Sequence, residues 1–180
     1  MKSIMYHYVQ QHKKEFKYLN ILLFKNFEKQ VSYFLRNFYF FDVKKIFDLQ
    51  KINKKQIFLT FDDGLKSHFK VARFLKKKKL NAIFFVPALN YKKKIILNVH
   101  KVHILLATQD PKVIFQRLKE LNISKYIKKE NIEKFGKDIY KNQSKKNEYL
   151  NIKKILNFYL SKNSQQKIIS KIFYLFFNRK

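Results

Sequence analysis

Between Gln56 and Val86 the chain has little choice of fold. Gln56–Phe61 (QIFLTF) is a near-continuous apolar run, the pattern of a strand buried on both faces. It ends on Asp62-Asp63-Gly64, and Gly64 is one of two glycines in the chain. Ser67–Lys78 (SHFKVARFLKKK) has helical spacing, with Phe69, Ala72, Phe74 and Leu75 on the inward face. Asn81–Val86 (NAIFFV) reads as a second buried strand, closed by Pro87. Strand, helix and strand in roughly 30 residues form a βαβ unit, whose strands run parallel.

Before this unit, Ser3–Val9 (SIMYHYV) reads as a short strand. Phe27–Phe38 reads as an amphipathic helix with Phe27, Val31, Phe34, Leu35 and Phe38 on one face. Phe38–Phe41 has the look of a brief strand, and Asp42 that of an N-cap for a short helix over Val43–Leu49. From Leu97 onward the pattern turns helical. Asn98–Thr108, Pro111–Leu121, Ser124 to about Phe135, Asn147–Leu160 and Gln165–Phe177 are expected helices, and Gly136–Lys146 an expected loop. Asp110-Pro111 has the order of an N-cap followed by Pro at the first helical position. The fold class is therefore α/β in the first half and mostly helical in the second.

The formal net charge of +29 invites a nucleic-acid or anionic-surface reading. The composition argues against it. Of 41 basic residues only Arg36, Arg73, Arg117 and Arg179 are arginine, the side chain whose planar fork reads phosphate and guanine. The lysines run along the whole chain beside abundant Asn, Ile, Phe and Tyr, which A/T-rich codons would supply without any functional demand. Nucleic acid is an unlikely partner on this reading. There is no cysteine, so any metal site must use His, Asp and Glu. No run approaches the roughly 18 apolar residues of a membrane-spanning helix, and Met1–Val9 lacks a signal-peptide core. A cytoplasmic location is the resulting expectation.

Asp62-Asp63-Gly64 has two readings. Asp and Gly are favoured turn residues, and most such triplets are only turns. Yet ligands of parallel α/β folds bind outside the carboxyl ends of the strands, and this triplet sits at one. Two adjacent carboxylates repel unless a cation or a proton lies between them. That is a reason to look for chemistry at this turn.

Thr60-Phe61-Asp62-Asp63-Gly64 resembles the first motif of the polysaccharide deacetylases, the NodB-homology or carbohydrate esterase family four group. Apolar strand, TFDDG, a Lys-rich helix end (FLKKKKL) and AIFFVP follow that family's order and spacing. Met5-Tyr6-His7-Tyr8 is similar to the opening strand of many members. Asn98-Val99-His100-Lys101-Val102-His103 followed by ILLA is similar to a subgroup with a helical insertion after the second strand. The resemblance spans about Met1 to Leu106 and is looser beyond.

The resemblance implies the N-terminal portion of a distorted (β/α) barrel over residues 1–96. It implies a mostly helical insertion over 97–180, truncated before the remaining barrel strands. It implies metal-dependent hydrolysis of N-acetyl groups on a glycan or glycan precursor, a hydrolase of carbon–nitrogen bonds other than peptide bonds. Asp62 takes the place of the general base, and Asp63 that of a ligand to zinc or a similar divalent metal. His7 and His68 are possible rim residues. The family's later His-(Ser/Thr)-x-x-His ligands have no counterpart here. His100 and His103 are spaced i, i+3, with Lys101 where Ser or Thr belongs. The ligand set is thus incomplete in this chain, and a separately encoded C-terminal half is an expected partner. The alternatives are a basic binding module and an inactive remnant.

Overall fold

The structure is a computed structural model and describes residues 1–11, 14–16, 19–45, 54–131, 133 and 145–177. The chain divides into two compact units: Met1–Lys13 with Asn20–Lys94, and Lys14–Leu19 with Ile95–Lys180.

The first unit is built on strand β5. Among the described residues its strands are β1 (Lys2–Tyr6), β2 (Val9–Gln10), β3 (Leu22–Leu23), β4 (Tyr39–Phe40), β5 (Gln56–Phe61) and β6 (Ala82–Phe84). β5 pairs in parallel with β1, from Lys2 opposite Ile57 to Tyr6 opposite Phe61. β4 is parallel to the start of β5, with Tyr39 opposite Gln56 and Phe40 opposite Ile57. β6 is parallel to its end, with Leu59 opposite Ala82 and Phe61 opposite Phe84. The carbonyls of Ile57 and Phe61 accept from Phe41 and Phe85 N–H, while Asp62 N–H donates to the Tyr6 carbonyl. Alternate residues of a strand send their hydrogen bonds to opposite sides. β4 and β6 therefore share one edge of β5, and β1 holds the other.

The unit also carries helices α1 (Phe24–Asn37), α2 (His68–Lys77) and α3 (Ala88–Lys93). Its core joins Tyr6, Val9, Phe27, Val31, Leu59, Phe61, Val71 and Leu75, all buried. Side chains two apart on a strand share a face, and so do those four apart on a helix. Leu59 and Phe61 thus meet Phe27 with Val31 and Val71 with Leu75.

Several expected boundaries shift. Ser3–Val9 is two short strands broken at His7 and Tyr8. β5 is buried at Ile57, Leu59, Thr60 and Phe61, but Gln56 and Phe58 are half-buried, so two-sided burial is incomplete. β6 is shorter than Asn81–Val86 and only half-buried, and Phe85 and Val86 beyond it are exposed. Phe69 faces solvent at 73% exposure, and His68, Val71 and Leu75 form the inward face of α2 instead. Leu35 of α1 is also exposed. After Asp42 the described helix is a single 3-10 turn, Val43–Lys45; the remainder of Val43–Leu49 lies outside the described residues.

The second unit is helical. It contains α4 (Asn98–Thr108), α5 (Pro111–Glu120), α6 (Lys145–Lys154), running into a π-helical turn over Ile155–Tyr159, and α7 (Lys162–Phe176). Asp110 caps α5, its carboxylate accepting from Lys112 N–H at 2.8 Å. The expected helix from Ser124 is instead two 3-10 turns, Ile123–Tyr126 and Lys129–Asn131, and residues 132 and 134–135 lie outside the description. Asn122 adopts a left-handed conformation (φ 54°) that stops helix propagation there. Of the expected loop Gly136–Lys146, residues 136–144 lie outside the described residues, and 145–146 begin α6. Val102, Leu105, Leu106, Ile114, Leu118 and Ile169 are fully buried in this unit's core. Lys101 is buried with them at 5% exposure. Its Nζ donates to Ser170 Oγ at 2.8 Å and lies 5.3 Å from the Tyr174 ring centroid. No helix among the described residues is long and apolar enough to cross a membrane.

Candidate active site

The site begins with an aromatic floor. Tyr6, Phe61 and Phe84 end three neighbouring parallel strands and stack in register. Tyr6 lies 5.3 Å from Phe61 at 18° between planes, and Phe61 lies 4.8 Å from Phe84 at 14°. Phe27 packs edge-on against Tyr6 and Phe61. Tyr6 OH donates to Gln30 Oε1 at 2.9 Å, and burial pushes its pKa up to about 12. The phenol therefore stays neutral and holds β1 to α1. Sequence reading passed over this floor. Its signal was an aromatic residue ending each strand, immediately before His7 and before Asp62.

Beyond the floor the backbone turns sharply. Asp63 and Gly64 have φ of 74° and 57°, both left-handed. Asp is among the few residues with a Cβ that visit this region, at a cost of about 1–2 kcal/mol. At Gly64 space is also short: an added Cβ would lie 3.0 Å from Val86 Cγ1 and 3.4 Å from Pro87 Cδ. Strain and crowding thus act together at this residue. Gly64→Ala is expected to destabilise the chain by about 1–2 kcal/mol. A urea titration checks this, and an unchanged midpoint would show that the turn relaxes freely.

This turn brings four of the residues singled out from sequence to one strand end. Asp62 and Asp63 side chains are 30% and 19% exposed, and His7 is 37% exposed. His7 Nε2 stands 3.9 Å from Asp62 Oδ2 and 3.8 Å from Asp63 Oδ2. Those distances are too long for hydrogen bonds but within reach of a charge interaction when the imidazole is protonated. At this exposure the attraction is worth at most about 1 kcal/mol. His68, at the start of α2, is 5% exposed. Its Nε2 lies 2.7 Å from the His7 carbonyl oxygen. A carbonyl only accepts, so Nε2 is the donor, and in the neutral imidazole Nδ1 is then the unprotonated nitrogen. Nδ1 is buried and has no hydrogen-bond partner among the described residues, as does Ser67 Oγ beside it. A buried orphan of this kind costs about 1–3 kcal/mol.

Burial holds the His68 pKa below its ordinary 6.5, opposed in part by the hydrogen bond to His7 and the nearby Asp63 and Asp62 charges. The unfolded chain then takes up this proton at higher pH than the folded one. The stability owed to neutral His68 is complete above about pH 6.5. It is lost progressively as pH falls from there through the lower folded value. Denaturation midpoints should therefore decline less steeply below pH 6.5 in His68→Phe than in the native chain. Parallel curves would remove His68 as a source of acid sensitivity.

His100 and His103 lie on α4 with ring centroids 6.4 Å apart, in the helical unit. A catalytic zinc ion ordinarily takes three protein ligands. Among the described residues no group of three His, Cys, Asp or Glu side chains is arranged to hold a metal ion. The described residues do not by themselves fit the divalent metal that the motif implies.

Residues 50–120 match the polysaccharide deacetylase family model. The chain also has a structural match in a Streptococcus pyogenes deacetylase, PplD, solved in complex with acetate. The two are 16% identical over 96% of this chain and 80% of that one, with a TM-score of 0.44. No curated protein matches the chain at a significant level.

Proposed function

We propose, from the match of residues 50–120 to the polysaccharide deacetylase family model, a hydrolase that removes acetyl groups from N-acetylated sugars of a glycan or its precursor. The observation that carries this reading is the pair Asp62 and Asp63 on a parallel strand end, with the His7 imidazole facing both. In this reading β1, β4, β5 and β6 are the opening part of a (β/α) barrel.

The chemistry follows from the groups present. Asp62, partly exposed, takes a proton from water as the water oxygen attacks the acetyl carbonyl carbon. The tetrahedral adduct collapses by breaking its C–N bond. The departing sugar amine needs a proton, and His7 is the nearby group able to supply one. The products are acetate and the free amino sugar. Asp63 keeps its carboxylate on the same rim, the position the motif gives to a metal ligand. The described residues do not complete a ligand set for a metal ion.

The test is acetate release from N-acetylglucosamine oligomers by the full chain, with chelator and with added zinc. Slow release is expected. A rate raised by zinc would mean that residues outside those described complete a metal site. No acetate under either condition would sink the reading.

A further inference from the structure

A side chain packed against Phe61 and Phe84 has no need of nitrogen atoms. His68 nevertheless sits there, its ring 5.5 Å from Phe61 and 6.0 Å from Phe84. Its buried Nδ1 finds no hydrogen-bond partner among the described residues, so imidazole fills this place less well than phenyl would. What imidazole adds is one N–H. Nε2 gives it to the His7 carbonyl at 2.7 Å, an oxygen that also accepts from Val9 N–H at 3.0 Å. That carbonyl lies in the turn between β1 and β2. The side chain of the same residue faces Asp62 and Asp63.

We propose that His68 is a positioning residue: its Nε2–H ties the His7 main chain to the start of α2 and so holds the His7 imidazole against Asp62 and Asp63. Three segments converge here, the first of them distant in sequence from the other two. They are the end of β1, the turn after β5 and the first residue of α2. The β1–β5 ladder fixes Tyr6 beside Phe61, but it ends with Asp62 N–H on the Tyr6 carbonyl. His7 is one residue past the last rung; there its carbonyl is held by Val9 N–H within the turn and by His68 Nε2–H from α2, and only the second of these ties it to the segment that carries Asp62 and Asp63. The proposal deepens the deacetylase reading and rests on it for what His7 does chemically. The placement of His7 does not depend on turnover.

The test reads that placement directly. In the full chain, with histidine rings labelled with carbon-13 and nitrogen-15, the His7 Cε1–H resonance is followed upon Asp62→Asn. The substitution is expected to move it in the native background and equally in His68→Gln, whose amide N–H replaces Nε2–H. The response is expected to vanish in His68→Phe, which fills the space without a donor. A full response in His68→Phe overturns the proposal, as does equal loss in His68→Gln and His68→Phe. Should His68→Phe fail to fold, the nitrogen-15 spectrum of the native chain decides. Protonated Nε2 with bare Nδ1 supports the tether, and the opposite tautomer overturns it. Where acetate release is measurable, His68→Phe should lower kcat and leave KM unchanged. A chain without release but with the resonance behaviour above would lose the deacetylase reading and keep the tether.

Discussion

Asp62→Asn is expected to cut acetate release by about a hundred- to ten-thousand-fold, the usual contribution of a general base. The change keeps the size of the side chain and removes its ability to take a proton. The main-chain bond from residue 62 N–H to the Tyr6 carbonyl, 3.0 Å long, does not involve the side chain and should persist. A lost rate with an unchanged thermal midpoint would therefore report chemistry rather than unfolding. Asp63→Asn is the natural control. Asn tolerates the left-handed backbone at this position (φ 74°) as well as Asp does, so it too should leave the fold intact. If Asp62→Asn retains most of the native rate, the base lies elsewhere and the motif assignment is wrong.

The largest loss of stability is expected from Phe61→Ala, about 3–5 kcal/mol. Phe61 is fully buried and meets the rings of Tyr6, Phe27, Phe84 and His68. Removing it opens a cavity under the acid pair and also forfeits aromatic pair contacts worth about 0.5–1.5 kcal/mol each. Chemical denaturation measures the loss. A cost below about 1 kcal/mol would mean that the neighbouring rings close over the gap, far outside the usual range for Phe→Ala in a packed core.

Local patterns in this chain are legible where one element settles its own case. Gln56–Phe61, Asn98–Thr108 and the Asp110-Pro111 helix start follow from apolar runs, spacing and a cap. Features decided by distant partners are not. Phe69 has the spacing of an inward residue, yet α2 is rotated so that His68, Val71 and Leu75 face the sheet. The strand over Ser3–Val9 breaks because β1 leaves β5 at Tyr6. The segment from Ser124 gives up helix to 3-10 turns, and Ile127 bridges to Leu160, a contact no local window contains. The candidate site divides along the same line. Adjacent Asp62 and Asp63 are visible as letters. The approach of His7 to them requires the parallel register of two strands far apart in the chain. The left-handed backbone that favours glycine at position 64 is half visible, since Gly marks it, but the Val86 contact is not.

Lys101 gives the helical unit a built-in reporter. In a chain this rich in lysine, an amine-reactive reagent would modify the solvated ammonium groups quickly. Lys101 Nζ lies under Tyr174 and against Ser170 Oγ, so it should react only when α4 and α7 part. Its labelling rate in mass spectra of digested protein would then follow local opening of that unit alone. Comparing it with denaturation followed at the aromatic floor would show whether the two units unfold together or one at a time.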